Sequence, residues 1–340
     1  MKKKAYLAIL TALTLGASLF TGCGSAASSA GKPASSAAAS AVSETAASGT
    51  KSVKVGLIQL TEHPSLDEIR TAIVSQIEEK APEYGLSVEV DYQNGQNDPS
   101  TINTICQQFV ADQVDLIVAI ATPAAQAAVA AASPDIPVIF SAVTDPVTAG
   151  LVEDLKAPGH NVTGTSDAIP VDAIFDLAKE LTPNAKHFGL LYSTSEDNSA
   201  SVLRDARAYL DANGCTYEEG AVAAIGDVQT AVAALVNKVD AIFVPIDNTI
   251  AMAMPAVAEI ANKAGVPVYV SADTMVYDGG LAAVGINYTN LGKQTADMAL
   301  KVLSGTPAGE LPVETLTDKQ VIVNPDTAKA LKVDVQRYVK

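Results

Sequence analysis

Residues 53–80 read VKVGLIQLTEHPSLDEIRTAIVSQIEEK, and they contain the unit that the rest of the chain repeats. The first eight residues are mostly apolar, which is typical of a strand that is covered on both faces. Residues 65–80 then place apolar side chains at helical spacing, and Ser65 with Glu68 matches a capping box. A buried strand followed closely by a helix is the building unit of a parallel α/β sheet.

The same alternation continues along the chain in two series. Further apolar runs lie at 86–92, 115–121 and 136–143 and then, after a break, at 187–193, 216–221, 240–246, 266–271 and 281–286. Patterns of helix length separate them at 99–111, 123–133, 171–181, 196–212, 228–238 and 249–264. This alternation predicts parallel sheets with right-handed crossovers. Because it occurs twice, with a seam near 161–169, we expect two similar α/β lobes with a cleft between them.

The connections between these lobes are expected to form a hinge. We expect the chain to cross between the lobes three times, near residues 161–168, 286–289 and 306–317, with a helix at 291–303 and a last strand at 320–323. These crossings predict a first lobe of residues 53–163 and 288–306 and a second lobe of residues 164–287 and 307–340. A hinge with three crossings has few degrees of freedom and suits closure around a ligand.

The N-terminal residues carry a different pattern. Three lysines at positions 2–4 precede an apolar stretch at 5–20, and two small residues then lead to Cys23. This order is typical of a secretory signal peptide, and the position of the cysteine resembles the lipobox of bacterial lipoproteins. We therefore expect a signal peptide at 1–22, lipidation of Cys23 and an extracytoplasmic protein anchored to the cell membrane. A membrane-spanning anchor is disfavoured because the apolar run is shorter than the ~20 residues that a bilayer needs.

Composition restricts the partners of the chain. Residues 23–52 are almost entirely Ala, Ser, Gly and Thr and predict a flexible tether. The formal net charge of −16 argues against binding to nucleic acid or to an anionic membrane surface. Cys106 and Cys215 fall in different predicted lobes, so we expect two buried thiols and no disulfide. No metal-ligand spacing is present; we expect no metal, no cofactor and a monomer.

The candidate binding residues follow the predicted strands, because ligands of open parallel sheets bind beyond the carboxyl ends of the strands. Hydroxyl groups and helix N-termini of the first lobe suit a carboxylate, and carboxylates of the second lobe suit an ammonium group. This division predicts a zwitterionic ligand, although each residue alone is equally well explained as a helix cap. The candidates are His63, Thr122, Ala142, Thr144, Asp145, Ser195, Glu196, Asn198, Ser199, Asp247, Asn248, Thr249 and Asp273.

Catalytic signatures are missing from the sequence. It contains no Gly-x-Ser-x-Gly elbow, no Walker loop and no zinc-binding His/Glu spacing, and it has three histidines. We therefore expect a binding protein and not an enzyme. His63 precedes Pro64 in a loop, where it either contacts a ligand or lies on the surface.

Several short motifs together resemble a known family. They are KVGLIQ at 54–59 with EHPSLD at 62–67, ATPAAQ at 121–126, VTDP at 143–146, YSTSEDNS at 192–199, DNT at 247–249 and GINY at 285–288. As a set they resemble the ABC transporter substrate-binding proteins of the tryptophan/tyrosine-binding type. The resemblance implies the type I periplasmic-binding-protein fold, with two flavodoxin-like lobes, and delivery of a captured solute to an ATP-driven membrane permease.

The resemblance also implies roles for individual residues and a class of ligand. Thr122 and Thr144 would bind the carboxylate of an amino acid, mostly an aromatic one, and Asp247 and Asp273 are candidates for its ammonium group. The residues lining the cleft from the second lobe would be Ser195, Glu196, Asn198 and Ser199. Two alternatives remain open: a surface-anchored sensor or adhesin with the same fold, and a receptor for another small solute such as a nucleoside or a sugar.

Overall fold

The computed structural model describes residues 50–339. The predicted signal peptide at 1–22, the predicted lipidation site Cys23 and nearly all of the predicted tether at 23–52 lie outside the described residues. The twelve strands of the described part are β1 Lys51–Gln59, β2 Leu86–Asn94, β3 Leu116–Ile120, β4 Val138–Ser141, β5 Val162–Ser166, β6 His187–Ser193, β7 Thr216–Val222, β8 Ala241–Val244, β9 Val268–Val270, β10 Ala282–Gly285, β11 Glu314–Thr315 and β12 Gln320–Val323.

Eleven α-helices complete the same residues. They are α1 Pro64–Lys80, α2 Pro99–Ala111, α3 Thr122–Ala131, α4 Val171–Leu181, α5 Asp197–Ala212, α6 Val228–Leu235, α7 Asn248–Met252, α8 Met254–Ala264, α9 Asp273–Tyr277, α10 Tyr288–Leu303 and α11 Pro325–Leu331. The helix predicted at 249–264 is thus divided in two, and Pro255 lies at the start of its second part. Within 50–339, we find no helix with the length and apolar character needed to cross a bilayer.

The strands form two six-stranded sheets with the same core order. The first sheet runs β2-β1-β3-β4-β5-β11 and the second runs β7-β6-β8-β9-β10-β12. Neighbouring strands are parallel throughout, except that β12 is antiparallel to β10. Numbered within each lobe, both sheets have the order 2-1-3-4-5, which is that of flavodoxin. The two flavodoxin-like α/β lobes predicted from the sequence are therefore confirmed.

The strands in the middle of the first sheet explain why the sequence pattern was clear. Every residue of β3 and of β4 is buried. Helices cover both faces of such a sheet, so these strands are continuous apolar runs and show no alternation. In the sequence, this pattern predicted the same strands.

The chain passes between the two sheets three times, at residues 166–171, 285–288 and 315–320. The positions differ from the expected lobe boundaries in two places. β5 extends the first sheet to Ser166, and Glu314–Thr315 pairs with β5, although residues from 307 onward were expected in the second lobe. A two-residue strand has no periodicity, so the sequence carried no signal for it.

Helix α10 brings the chain back to the first lobe, where it packs against α1. A Cβ atom placed on Gly292 would lie 2.6 Å from the carbonyl oxygen of Ile69 and 2.7 Å from Cβ of Ala72. The two helices therefore approach each other so closely that only a glycine fits at this position. This contact fixes the position of α10 directly after the second crossing.

Substitution of Gly292 by valine is expected to lower the free energy of unfolding by about 2 kcal/mol, because an overpacked helix interface must separate. Gly226→Val is the matched control, since a Cβ on Gly226 meets no atom within 4 Å. Urea denaturation followed by circular dichroism measures both. Equal stabilities for the two variants would contradict the close packing of α1 and α10.

Candidate functional site

A cavity lies between the two lobes, beyond the carboxyl ends of the central strands. Two residues that the sequence did not single out as polar ligands, Asp167 and Tyr288, line it. Apolar side chains, among them Leu66 and Met275, form part of its wall. Of the predicted residues, the lining contains His63, Thr122, Ala142, Thr144, Asn198, Asp247 and Asn248.

The remaining predicted residues do not line this cavity. Ser195 and Thr249 line a separate cleft between the lobes. Asp145 accepts a hydrogen bond from the backbone N–H of Thr148 at 3.0 Å, within its own turn. Asp273 accepts one from the next backbone N–H at the start of α9, at 2.8 Å. The other two residues, Glu196 and Ser199, lie behind the second-lobe wall.

The first-lobe wall contains two strained backbone positions. Ala121, the single residue between β3 and α3, has φ 80° and ψ 154°, a region that is essentially restricted to glycine. Ala142, directly after β4, has φ 55°. Strain of this kind costs on the order of 1–3 kcal/mol per residue and concentrates at functional sites. Its presence at two neighbouring strand ends supports a functional site at this edge of the sheet.

Thr122 begins helix α3 with its hydroxyl buried and unused. The residue is 2% exposed, and within residues 50–339 its Oγ1 has no hydrogen-bond partner. The explanation as an ordinary helix cap does not hold, because Ala121 is the N-cap and no side chain caps this helix. A buried hydroxyl without a partner costs free energy, so a ligand acceptor at this position would remove that cost.

Asp167 follows β5 at the first crossing and is 1% exposed. Its Oδ1 accepts a hydrogen bond from Oγ1 of Thr144 at 2.9 Å. Among the described residues, no cationic side chain forms an ion pair with it. Burial raises the pKa of Asp167 to about 6. Sequence reasoning missed this residue because it lies at the seam between the two series, where no strand-to-helix motif marks it.

Asp247, in contrast, has both carboxylate oxygens occupied by the protein. Its Oδ1 accepts from the N–H of Ile250 at 2.9 Å, as an N-cap of α7 does. Its Oδ2 accepts from the N–H of Ser193 at 2.6 Å and from the hydroxyl of Ser199 at 2.7 Å. Burial and the nearby carboxylate of Glu196 raise the pKa of Asp247. Few acceptor positions remain on Asp247 for a ligand.

Glu196 is similarly engaged at the N-terminus of α7. Its Oε1 accepts from the N–H and the hydroxyl of Thr249, both at 2.9 Å. Its Oε2 accepts from the N–H of Asn248 at 3.1 Å and from Nδ2 of Asn248 at 2.6 Å. All these partners donate, so Glu196 acts as an acceptor for a helix terminus, where negative charge is favourable.

Several hydrogen bonds join the two lobes directly. Nε2 of His63 lies 3.0 Å from Oδ1 of Asn248. The hydroxyls of Ser65 and Thr274 are hydrogen-bonded as well. At the rim, Nε2 of Gln126 donates to Asp197 at 2.8 Å. The structure therefore has the lobes in contact across the cleft, with the cavity enclosed between them.

The predicted capping box at the start of α1 is wrong. The N-cap is His63, without a side-chain hydrogen bond to the helix. Ser65 bonds to Thr274 instead, and Oε1 of Glu68 accepts from the N–H of Thr289 at 2.9 Å. Tertiary partners thus outcompete the local cap, because they lie on elements packed against the first turn.

The charge of the cavity wall restricts how an anionic group could be held. No lysine or arginine is among the residues that line it. A ligand carboxylate would therefore depend on the Thr122 hydroxyl and on the free N–H groups at the start of α3. Elsewhere in residues 50–339, Cys106 and Cys215 are buried free thiols, and no group of three or more His, Cys, Asp or Glu side chains is placed to hold a metal ion.

Comparison with known proteins gives consistent matches over the folded part. A family model described as ABC transporter substrate binding protein matches residues 54–340. The tyrosine-binding protein of Clostridioides difficile strain R20291 is 40% identical over 341 residues, which cover 99% of this chain and 94% of that protein. Among solved structures, an ABC domain from Streptococcus pneumoniae in complex with L-Trp is 41% identical, with a TM-score of 0.80 and coverage of 84% of this chain and 96% of that one.

A second solved structure is similar in sequence but less similar in shape. It is the ligand-free, open structure of a Clostridium difficile substrate-binding protein with adhesive properties, 41% identical over 85% of this chain and 98% of that one, with a TM-score of 0.66. Together with the two flavodoxin-like sheets, these similarities confirm the predicted type I periplasmic-binding-protein fold.

The buried carboxyl group of Asp167 is expected to make stability depend on pH. Its pKa of about 6 lies above the ordinary value of 3.8, so the folded protein binds more protons than the unfolded chain between these values. Stability should therefore fall as pH rises from about 4 to about 6, by on the order of 3 kcal/mol. Asp167→Asn removes this titration. In urea denaturation, the stability of the variant relative to wild type should rise between pH 4 and pH 7. Parallel pH profiles for the two proteins would contradict the raised pKa of Asp167.

Proposed function

The chain belongs to the family of ABC transporter substrate-binding proteins, and from this membership we propose that it captures an aromatic L-amino acid between its lobes. One observation carries the proposal. A fully buried carboxylate without a cation, Asp167, and a buried hydroxyl without a partner, Thr122, lie in the wall of one cavity. An ammonium group and a carboxylate on one small molecule would satisfy both.

The sheet order supports a single ligand that spans these two groups. Thr122 follows β3 and Asp167 follows β5, with β4 between them. Two strand intervals correspond to about 10 Å between the strand ends. A small zwitterion that is hydrogen-bonded to one side chain at each end bridges this distance. Thr144 follows β4 and orients the Asp167 carboxylate through its hydroxyl. On this proposal the ammonium group binds Asp167, and Asp247 serves the second lobe as a helix cap.

The proposal of an aromatic side chain rests on the wall and on the relatives. Leu66, Ile246, Met275 and the buried ring of Tyr288 surround the space that the zwitterion leaves. Apolar side chains beside polar groups that orient the ligand are the usual composition of a small-molecule site. The Clostridioides difficile relative is a tyrosine-binding protein, and the Streptococcus pneumoniae structure contains L-Trp.

The arrangement of the lobes supports binding by closure. The two compared structures have the same identity to this chain, yet the tryptophan complex is the more similar in shape. The direct contacts between lobes agree with a closed form. Three crossings at one edge form a hinge that allows a closing rotation.

As a substrate-binding protein, the chain acts outside the cytoplasmic membrane, and we propose that a lipid on Cys23 anchors it there as a monomer. It would deliver its ligand to a membrane permease. Catalysis plays no part in this function. Mass spectrometry of the N-terminal peptide measures the lipid directly, and loss of membrane association in Cys23→Ala tests its role.

Adhesion is a second candidate function, because the Clostridium difficile relative is described as having adhesive properties. Uptake of labelled amino acid in cells lacking this chain separates the two. Loss of uptake supports transport, and normal uptake with reduced attachment to surfaces supports adhesion.

Asp167→Asn is expected to weaken binding of the amino acid by about 2–4 kcal/mol, because the variant leaves the ammonium group buried without a charged partner. Isothermal titration of the purified protein with L-tyrosine, L-tryptophan and L-phenylalanine measures it. Asp145→Asn is the matched control, since that carboxylate does not line the cavity. Unchanged affinity in Asp167→Asn would instead favour Asp247 as the ammonium partner, as expected from the sequence.

Thr122→Val is expected to act oppositely on stability and on binding. Replacing an unpartnered buried hydroxyl by a methyl group should leave stability unchanged or raise it by up to about 1 kcal/mol. Binding should weaken by about 1.5–3 kcal/mol, because a hydrogen bond to a charged group is lost. Thr144→Val provides the contrast, since it removes the hydrogen bond to Asp167 and should lower stability. Equal effects of both variants on stability would contradict the proposed role of Thr122.

A further inference from the structure

A chain of hydrogen bonds across the cleft determines which nitrogen of His63 carries the proton. Oε2 of Glu196 accepts from Nδ2 of Asn248 at 2.6 Å, so the Asn248 amide has its nitrogen toward Glu196. Oδ1 of Asn248 is thereby turned to Nε2 of His63, at 3.0 Å. A carbonyl oxygen only accepts, so Nε2 of His63 must be the donor.

The other ring nitrogen of His63 is left as an acceptor. A neutral imidazole has one donor and one acceptor nitrogen, so Nδ1 carries a free lone pair. Within residues 50–339 this atom is buried and has no hydrogen-bond partner. His63 itself is 7% exposed and lines the cavity. Burial lowers the pKa of His63, which keeps the ring neutral.

His63 lines the cavity after a strand that is well separated, in the first sheet, from the strand that precedes Asp167. It follows β1, and Asp167 follows β5, with β3 and β4 between them. Three strand intervals place these strand ends about 14 Å apart. Apart from burial, the groups that act on the His63 ring include its partner Asn248 and the carboxylates of Glu196, Asp67 and Asp278. An amino acid whose ammonium group binds Asp167 would therefore direct its side chain toward His63.

We propose that His63 is a specificity-determining residue whose Nδ1 accepts a hydrogen bond from a donor on the ligand's ring, a phenol O–H or an indole N–H. Asn248 and Glu196 are positioning residues that hold the required tautomer. This inference rests on the proposed function and adds a selection rule to it: aromatic amino acids with a ring donor are favoured over phenylalanine.

The selection is linked to closure of the lobes. His63 belongs to the first lobe, whereas Asn248 and Glu196 belong to the second. The hydrogen bond that fixes the tautomer therefore exists only when the lobes meet. A ligand that satisfies Nδ1 stabilises the closed form, and one without a ring donor leaves a buried acceptor unpaired.

The first experiment compares L-tyrosine with L-phenylalanine by isothermal titration. Wild type should bind tyrosine about tenfold or more tightly than phenylalanine. In His63→Gln the amide nitrogen still donates to Asn248, whereas the acceptor moves from the position of Nδ1 to the amide oxygen. Tyrosine affinity should then fall about tenfold while phenylalanine affinity changes less than about twofold. His187→Gln, at the half-buried start of β6 and outside the cavity lining, is the matched control and should preserve the tyrosine preference.

The second experiment reads the tautomer itself in the tyrosine-bound protein. The chain has three histidines, so the ring ¹⁵N resonances of His63 can be assigned with single substitutions at the other two. Wild type should show the proton on Nε2. Glu196→Gln keeps an acceptor for Asn248 and should retain this tautomer, whereas Asn248→Ala should lose it together with part of the tyrosine preference.

The outcomes separate this inference from the proposed function. If wild type binds none of the aromatic amino acids, the proposed function fails and the inference fails with it. If it binds tyrosine and phenylalanine equally, or if His63→Gln weakens both equally, the proposed function stands and the role of His63 is overturned. A proton on Nδ1 in the wild-type complex likewise overturns it.

Discussion

Asp247 and Glu196 bring two carboxylates to the N-terminus of α7, a helix of five residues, and the second-lobe wall depends on that contact. So short a helix has little stability of its own, since nucleation is costly and most of its N–H groups lack partners within the helix. The two carboxylates supply those partners and also accept hydrogen bonds from Ser193, Ser199 and side chains of α7. They thereby fix the position of Asn248, which faces the first lobe.

The need of buried polar groups for hydrogen-bond partners also separates groups with a structural role from candidate ligand-binding groups. A polar group removed from water costs free energy unless it is hydrogen-bonded, and buried charges are normally paired. Asp247 and Glu196 meet this condition within the second lobe. Thr122 and Asp167, in the first lobe, do not meet it fully, because one hydroxyl has no partner and one carboxylate has no cation. On our proposal, a ligand completes both groups.

Much of the fold was predictable from the sequence because buried parallel strands leave strong signals. Val138–Ser141, for example, is sufficiently apolar to be predicted as a buried strand from its own residues. The binding site was harder to predict, since an aspartate at a strand end has the same sequence pattern whether it caps a helix or binds a ligand. Asp247 was predicted as an ammonium partner, but both of its carboxylate oxygens accept hydrogen bonds from the protein. Asp167 gave no signal, because its burial arises from packing of elements far apart in the chain. Ser65 likewise bonds to Thr274, a residue that no local pattern connects to it.

The division of roles between the lobes gives an order of events for binding. Two incompletely paired groups of the cavity wall, Thr122 and Asp167, follow strands of the first lobe and are available while the cleft is open. On our proposal the zwitterion therefore binds this lobe first, and the second lobe adds a wall in which Asp247 and the supporting Glu196 are already hydrogen-bonded. Because Asp247 and Glu196 are held before closure, closing does not have to order them, which limits the conformational entropy lost at that step. Contact between the lobes also fixes the tautomer of the His63 ring, and for this reason we assign discrimination between side chains to closure and not to the first encounter.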